Sequence, residues 1–171
     1  MSNFSFKIVV LGDGAVGKTS LIKRYIEGVF KSDYKVTLGV DIFKKAVTMN
    51  DKTVEASFWD FSGQSIFEKT RPNFYSEASG MILAFDLARL QSLTSIPKWK
   101  EECIKYTRAE IPALLVGCKS DLVDLRTVND PTAQSVAKQL GLEYYPTSAK
   151  TGEGIKEVAE ILIKKIIEKN T

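Results

Sequence analysis

The eight residues from Gly12 to Thr19, with the sequence GDGAVGKT, constrain the fold of this chain more than any other stretch. They fit the pattern G-x-x-x-x-G-K-[ST], in which glycines let the backbone turn so tightly that consecutive amide N–H groups converge on one point. A large anion can occupy that point. Lys18 adds a positive charge for terminal phosphates, and the hydroxyl of Thr19 is a hard oxygen ligand suited to Mg²⁺. The segment is therefore predicted to be a phosphate cradle.

The setting of this segment favours a phosphate cradle over a glycine-rich turn that fits the pattern by accident. Residues 4–11 have the composition of a strand that becomes fully apolar, and Leu21, Ile22 and Tyr25 recur at helical spacing after the loop. We expect a helix from Lys18 to about Gly28. Its N-terminus would direct the positive end of the helix dipole at the same anion.

Length and charge limit the class of protein. With 171 residues, 44% of them hydrophobic, the chain is expected to form one domain, 1–171, with a sizeable core. Its 24 basic and 21 acidic residues are interspersed and give a net charge of +3, so we expect no nucleic-acid partner. The two cysteines, Cys103 and Cys118, imply no disulfide framework and suit a reducing cytosol.

The remaining sequence alternates apolar strands with amphipathic helices. Strands are predicted at 4–11, 41–49, 53–60, 81–86, 113–117 and, more weakly, 143–145, with further helices at 95–107, 131–140 and 155–169. The short connection at 50–52 makes the second and third strands an antiparallel hairpin. The expected fold is α/β, a three-layer P-loop NTPase sandwich whose six-stranded sheet is mostly parallel, has one antiparallel strand and carries helices on both faces.

Polar segments with chemistry of their own follow the ends of three predicted strands, where a ligand of such a sheet is expected to lie. Asp60 ends the third strand and can reach Mg²⁺ through its water shell, and Gly63 offers an unobstructed backbone N–H. Cys118-Lys119-Ser120-Asp121 ends the fifth strand, and Thr147-Ser148-Ala149-Lys150 follows the sixth. With these motifs in this order, the chain resembles a small GTPase of the Ras superfamily over nearly its whole length.

The resemblance implies how a guanine base is recognised. Asp121 would accept two hydrogen bonds from the guanine N1–H and amino group, a paired contact that adenine cannot make. Lys119 would lie along the base, Ala149 would offer its backbone N–H to the guanine carbonyl, and Phe30 would cover the base edge. For two of the candidate residues a purely structural role stays open: Phe30 could be a core residue, and Lys150 could be an exposed surface charge.

The resemblance also implies a reaction, the Mg²⁺-dependent hydrolysis of GTP to GDP and phosphate. Thr37 would join Thr19 on Mg²⁺ when the γ-phosphate is present, Gly63 would hold that phosphate, and Gln64 would orient the attacking water. The candidate catalytic residues are Lys18, Thr37, Gly63 and Gln64, and the candidate metal ligands are Thr19, Thr37 and Asp60. The candidate nucleotide-binding residues are Asp13, Gly14, Ala15, Val16, Gly17, Lys18, Thr19, Ser20, Phe30, Thr37, Gly63, Lys119, Asp121, Ser148, Ala149 and Lys150.

Several positions bear on the subfamily. The cradle resembles that of Rho proteins, but the chain has no insert between Asp121 and Thr147. Residues 38–41 and three aromatic residues look more like Rab proteins, and Ile42 departs from the phenylalanine that Rab proteins usually carry. The aromatic residues are Trp59, Phe67 and Phe74.

Cys118 stands where the family usually has an asparagine that ties the base-binding loop to the phosphate loop. A thiol is a poor hydrogen-bonding substitute, so we expect faster nucleotide release with guanine choice intact. Ser62 and Ser65 also depart from the family's pattern. We therefore expect the regulators that bind this segment to differ from those of more typical family members.

The two irregular stretches, 29–39 and 61–71, are expected to be the surfaces that partners recognise. Both are expected to be exposed loops whose conformation depends on whether the γ-phosphate is present. An exchange factor, a GTPase-activating protein and effectors would bind through residues 30–42 and 61–75. Neither the phosphate loop nor the first irregular stretch contains arginine, so we expect slow hydrolysis until a partner supplies one.

Location is the least constrained expectation. The chain ends at Glu168–Thr171 without a cysteine for a prenyl group. We expect a cytoplasmic monomer, peripheral to a membrane only if a longer form carries a tail absent from this chain.

Two rival functions remain open on the sequence. An ATP-using P-loop kinase would share the phosphate motif but would not need Lys119-Ser120-Asp121. A nucleotide-bound interaction module with negligible hydrolysis is harder to separate, because Gln64 lies in altered surroundings.

Overall fold

The computed structural model describes residues 4–30, 39–61, 63 and 67–170. Within these residues six strands form one sheet. The strands are β1 (Phe4–Leu11), β2 (Val40–Met49), β3 (Lys52–Phe61), β4 (Gly80–Asp86), β5 (Ala113–Cys118) and β6 (Glu143–Pro146). The helices are α1 (Lys18–Glu27), α2 (Leu90–Thr94), α3 (Ile96–Thr107), α4 (Asp130–Gln139) and α5 (Ile155–Lys169), with single 3₁₀ turns at Arg71–Phe74 and Val123–Leu125.

The sheet has the order β2-β3-β1-β4-β5-β6. β2 runs antiparallel to β3, and every other neighbouring pair is parallel. The hairpin turns at Asn50 and Asp51, whose φ angles of 48° and 62° suit the right-handed twist of the two strands. The six-stranded, mostly parallel sheet with one antiparallel strand is confirmed.

Helices cover both faces of the sheet, which confirms the three-layer sandwich. Ile8 and Val10 of β1 pack in a core with α1 and α5, whereas Val9 and Leu11 pack in a second core with α3 and α4. Every residue of β4 is buried, as expected for a central parallel strand covered on both sides. The carboxyl ends of β1, β3, β4, β5 and β6 are therefore brought to one edge of the sheet.

The observed element boundaries lie within one residue of those expected, but two differences change the interpretation of the chain. β3 continues through Phe61, which was expected to begin an irregular stretch, because Phe61 pairs with Val40 and packs its ring 4.8 Å from that of Tyr75. A separate short helix, α2, precedes α3, and Ser95 lies between the two helices. Across the part of the chain described above, no helix combines the length and apolar composition needed to cross a membrane.

Candidate functional site

The segment between β1 and α1 adopts the tight turn that its glycines require. A side chain at Gly12 would place its Cβ 2.1 Å from the carbonyl oxygen of Ala84 in β4, so no larger residue fits there. Gly17, which caps α1, has a φ of 115°, and Ala15 has a φ of 64°. The strand, loop and helix predicted around the phosphate motif are confirmed.

Lys18 lies folded back against this loop. Its Nζ donates to the carbonyl oxygens of Gly12 and Asp13, at 2.8 Å each, and the residue is only 5% exposed. Burial lowers the pKa of Lys18 to about 8, although the carboxylates of Asp60 and Asp13 oppose that shift. Because burial disfavours the charged form of Lys18, an additional anion bound beside it would stabilise the ammonium further.

The next two carbonyls of the loop accept hydrogen bonds from other cations. Arg89 donates from Nη2 to the oxygen of Gly14 at 2.7 Å, and Lys119 donates from Nζ to the oxygen of Ala15 at 3.0 Å. In a trans peptide the C=O and the following N–H point in opposite directions. Because these two carbonyls are held by cations, the N–H groups that follow them, those of Ala15 and Val16, point away from those cations.

Thr19 and Asp60 provide the hard oxygens of the site. The Thr19 hydroxyl donates to Oδ2 of Asp60, which is fully buried at the end of β3. A hydroxyl and a carboxylate are ligands that fit Mg²⁺, which commonly uses few protein ligands and completes its shell with substrate phosphates and water. The described residues contain no group of three or more His, Cys, Asp or Glu side chains that could hold a metal by themselves.

Gly63 lies directly against the phosphate loop. A Cβ at this position would come within 2.4 Å of both the Gly12 oxygen and the Gly14 nitrogen, and within 2.5 Å of the Asp13 carbonyl carbon. Gly63 therefore packs directly on the backbone of the phosphate loop, where no larger residue fits. Thr37 and Gln64, together with Ser62 and Ser65, lie outside the described residues.

The segments after β5 and β6 lie side by side. Ser148 donates from Oγ to Oδ1 of Asp121 at 2.7 Å, and its own Oγ accepts the backbone N–H of Thr151 at 3.1 Å. The backbone N–H of Ser120 also donates to the Thr147 oxygen at 3.0 Å. Ser148 is fully buried, so its hydroxyl holds the Asp121 carboxylate from the protein interior. The Asp121 side chain itself remains partly exposed.

The other predicted base contacts are more peripheral. Phe30 is 40% exposed, so its interpretation as a core residue is wrong. Lys150 is exposed and Ala149 half-buried, next to Ser148. Ser20 lies half-buried in the first turn of α1, and Val16 is fully buried beneath the loop.

Cys118 lies at the junction of the two loops. It is 4% exposed, and its Cβ lies 3.3 Å from where a Cβ of Gly17 would be. Burial raises the pKa of the Cys118 thiol to about 12; the Asp86 carboxylate acts in the same direction, and the Thr147 side chain opposes the shift. The preceding residue, Gly117, accepts the Thr147 N–H at 2.7 Å and the Thr147 hydroxyl at 3.0 Å. The position therefore does touch both the phosphate loop and the β6 segment.

The sequence-based analysis missed three side chains of the site. Asp86 pairs with Lys119 at 2.8 Å, Arg89 holds Gly14, and Trp99 donates from Nε1 to Oδ1 of Asp13 at 2.9 Å. One signal was available for Asp86, a carboxylate that ends a strand of otherwise apolar residues. Nothing in the sequence pattern of α2 and α3 indicated Arg89 or Trp99.

An aromatic surface lies beside the site. Trp59 and Phe74 have their ring centroids 6.3 Å apart, and the ammonium of Lys7 lies 3.7 Å from the Trp59 ring centroid. Ile42, directly opposite Trp59 in the β2–β3 pairing, is 49% exposed. The described parts of 30–42 and 61–75 thus include an exposed apolar position beside clustered aromatic rings.

Comparisons with known proteins agree with these observations. The family model described as "Ras family" matches residues 7–168. The chain is 36% identical over 170 residues to Ras-related protein Rab-19 of Xenopus laevis, covering 99% of this chain and 80% of that protein. It is 38% identical over 165 residues to Ras-related protein Rab-21 of Bos taurus, covering 96% and 74%. It is 34% identical over 176 residues to Ras-related protein RABA6b of Arabidopsis thaliana, covering 98% and 77%.

Proposed function

The chain belongs to the Ras family, and from that premise we propose that residues 1–171 act as one guanine-nucleotide-binding switch domain that hydrolyses GTP to GDP and phosphate. The observation that carries the proposal is the position of Lys119. Its Nζ donates to the phosphate-loop carbonyl of Ala15 at 3.0 Å, while Asp121, two residues on, is held by Ser148. The loop proposed to bind phosphate and the loop proposed to select the base are thus in direct contact.

Base selection is assigned to the segment after β5. Asp121 would accept from the guanine N1–H and amino group, Lys119 would lie along the base, and the backbone N–H of Ala149 would reach the guanine carbonyl. Phe30, exposed at the surface, is available to cover the base edge. The buried hydroxyl of Ser148 supports this proposal, because it orients the Asp121 carboxylate before the base arrives.

Phosphate binding is assigned to the loop at 13–20. Its backbone N–H groups and the Lys18 ammonium would hold the phosphates, and the Gly14 and Ala15 carbonyls of the same loop are held by Arg89 and Lys119. Bound Mg²⁺ would neutralise phosphate charge, with Thr19 as a direct ligand, Asp60 reaching it through water and Thr37 joining them in the triphosphate state. The contact of Thr19 with Asp60 supports the first two assignments.

Hydrolysis is assigned to positioning and electrostatics. Gln64 would orient the attacking water, and the backbone N–H of Gly63 and the ammonium of Lys18 would stabilise charge on the γ-phosphate. Arg89 reaches the phosphate loop, but it donates to a backbone carbonyl, so we assign it to the loop's conformation. Rapid hydrolysis would then require an arginine from a partner. In Ras, an arginine supplied in this way increases the rate of GTP hydrolysis by about 10⁵-fold.

The switch itself would reside in residues 30–42 and 61–75. Loss of the γ-phosphate would release Thr37 and Gly63, and an exchange factor, a GTPase-activating protein and effectors would distinguish the two states. The partners are proposed to act in trafficking or signalling, by similarity to the Rab relatives. We place the protein in the cytoplasm as a monomer.

The test is a single-turnover assay on GTP-loaded protein. We expect slow conversion of bound GTP to GDP that needs Mg²⁺ and is accelerated by cell extract, with Gln64→Leu slower under both conditions. Gln134→Leu, an exposed glutamine of α4 outside residues 30–42 and 61–75, is the matched control and should behave as the wild type. No difference between Gln64→Leu and wild type, with or without extract, would favour an interaction module that does not hydrolyse GTP.

A further inference from the structure

Trp99 connects α3 with the phosphate loop. The residue is 7% exposed, and its indole N–H donates to the Asp13 carboxylate at 2.9 Å across 86 positions of sequence. A hydrogen bond to a charged acceptor inside a partly buried contact is among the stronger kinds in proteins. Asp13 is therefore held by its side chain from outside the loop.

The backbone of Asp13 is itself part of the nucleotide site. Its carbonyl oxygen accepts from Lys18 Nζ at 2.8 Å, and Gly63 approaches its carbonyl carbon so closely that a Cβ would lie 2.5 Å away. Any rotation of Asp13 would therefore move the acceptor of Lys18 and the surface against which Gly63 packs. The Trp99 contact bears on both.

Trp99 also contacts Arg71, which lies in residues 61–75, the second segment proposed to bind partners. The guanidinium carbon of Arg71 lies 4.5 Å from the Trp99 ring centroid. The same guanidinium donates to both oxygens of Glu102 in α3, at 3.2 and 3.0 Å, and its side chain is only 7% exposed. This paired geometry fixes the plane of the guanidinium against the indole.

Glu102 is also connected to the end of β3, through Tyr75 and Phe61. The Tyr75 hydroxyl also donates to Glu102, and its ring packs 4.8 Å from that of Phe61. Phe61 follows Asp60, the carboxylate that accepts from Thr19. Residues 71–75 are thus joined to the site twice, through Trp99 and Asp13 and through Phe61.

We propose that Trp99 is a positioning residue that couples residues 71–75 to the phosphate loop, so that a partner which displaces Arg71 weakens nucleotide binding through Asp13. The inference rests on the proposed function, because it concerns release of the same nucleotide. In this arrangement an exchange factor need not enter the phosphate loop. It acts by removing Arg71 from the indole and from Glu102.

The first test measures the contact itself and does not depend on the nucleotide. The chain has two tryptophans, so the ¹H–¹⁵N spectrum contains two indole N–H signals. Trp59 is an internal control, because its N–H donates to Ser57 Oγ at 3.1 Å, away from Asp13. Asp13→Ala and Arg71→Lys should each shift the Trp99 signal and leave the Trp59 signal in place, and Asp13→Asn, which keeps an oxygen acceptor, should shift it least.

The second test measures GDP dissociation from Mg²⁺-loaded protein. Trp99→Phe keeps an aromatic ring for Arg71 but loses the N–H, and should release GDP about tenfold faster. Asp13→Ala should also release GDP faster, and the double variant should be no faster than the faster single variant, because one contact is removed in all three. Arg71→Lys should accelerate release, whereas Arg108→Lys, exposed at the end of α3, should not.

The outcomes separate this inference from the proposed function. Wild-type release by Trp99→Phe, or effects of Trp99→Phe and Asp13→Ala that multiply in the double variant, would overturn the coupling. An unmoved Trp99 signal in Asp13→Ala would overturn the contact. Failure to bind any guanine nucleotide would instead overturn the proposed function, and the spectrum would still decide whether Trp99 holds Asp13.

Discussion

The Lys119 ammonium lies 2.8 Å from Oδ2 of Asp86, and the pair joins the end of β4 to the segment after β5 that is proposed to bind the base. Asp86 is 6% exposed, and its other oxygen accepts the Ala88 N–H at 2.8 Å. Lys119 has a φ of 67°, a left-handed conformation that is costly for a residue with a side chain. Its ion pair and its bond to Ala15 offset that cost and hold the ammonium between two loops.

Asp86→Asn should increase the rate of GDP dissociation by about tenfold, because an uncharged amide no longer holds Lys119 in place. Guanine preference should be retained, since Asp121 is unchanged. The measurement is displacement of a fluorescent GDP analogue. Glu55→Gln is the matched control, as Glu55 forms an exposed pair with Lys44 at 3.8 Å. Equal dissociation rates for Asp86→Asn and wild type would contradict a role of the pair in nucleotide binding.

Cys118→Asn should slow GDP dissociation, by about tenfold, because an amide can hydrogen-bond where the thiol does so poorly. The position is suited to such a tie, since the Cys118 side chain packs against Gly17 and the preceding residue, Gly117, accepts the Thr147 N–H at 2.7 Å. Cys103→Ala serves as the control, because Cys103 is equally buried but lies in α3. Dissociation from Cys118→Asn as fast as from wild type, or faster, would show that the thiol does not explain the release rate.

Both cysteines should resist alkylation in the folded protein below pH 9.0. Burial raises the pKa of each thiol from its ordinary 9.0 to about 12, so little thiolate forms. Between pH 9.0 and about 12 the unfolded chain loses thiol protons that the folded chain keeps. The contribution of the two buried thiols to folding stability is therefore lost as the pH rises through this range. Mass spectrometry after iodoacetamide treatment should find labelling only with denaturant, and rapid labelling of native protein would contradict the burial.

Gly63→Ala should slow single-turnover GTP hydrolysis by about 100-fold, the usual scale for losing one well-placed donor. The added methyl group would clash with backbone atoms of Gly12 and Gly14, so residue 63 could not approach the loop. Gly141→Ala is the control: its φ is 69° with no atom within 4 Å of the added carbon, so it should cost about 1 kcal/mol of folding stability and leave hydrolysis unchanged. Normal hydrolysis by Gly63→Ala would exclude the proposed role.

The sequence predicted well those features that depend on local pattern. The apolar run of 81–86 indicated a doubly covered strand, and the glycines of 12–19 indicated a loop whose tight geometry few other residues permit. Asp60 and Asp121 could be placed at one edge because parallel strands end together. Each of these inferences needs only neighbouring residues and the direction of a strand.

Contacts between elements distant in sequence could not be predicted in the same way. Trp99 and Asp13 are 86 positions apart, and an indole on a helix face has the same pattern whether it reaches a carboxylate or packs in a core. Arg89 follows a strand as an ordinary exposed charge, and only the fold brings it to Gly14. Phe61 was assigned to a loop because its pairing with Val40 depends on the register of the hairpin.

Nucleotide competition tests the central claim most directly: a phosphate loop and a base-selecting carboxylate form one guanine site. GDP should displace a fluorescent GDP analogue from the Mg²⁺-loaded protein at concentrations about 10⁴-fold lower than ADP requires, because a site with a fixed hydrogen-bonding carboxylate rejects an unmatched base. Asp121→Ala should lose that preference, and Asp124→Ala, an exposed carboxylate in the next turn, should keep it. Equal competition by ADP and GDP, or an Asp121→Ala protein that still prefers GDP, would contradict the account.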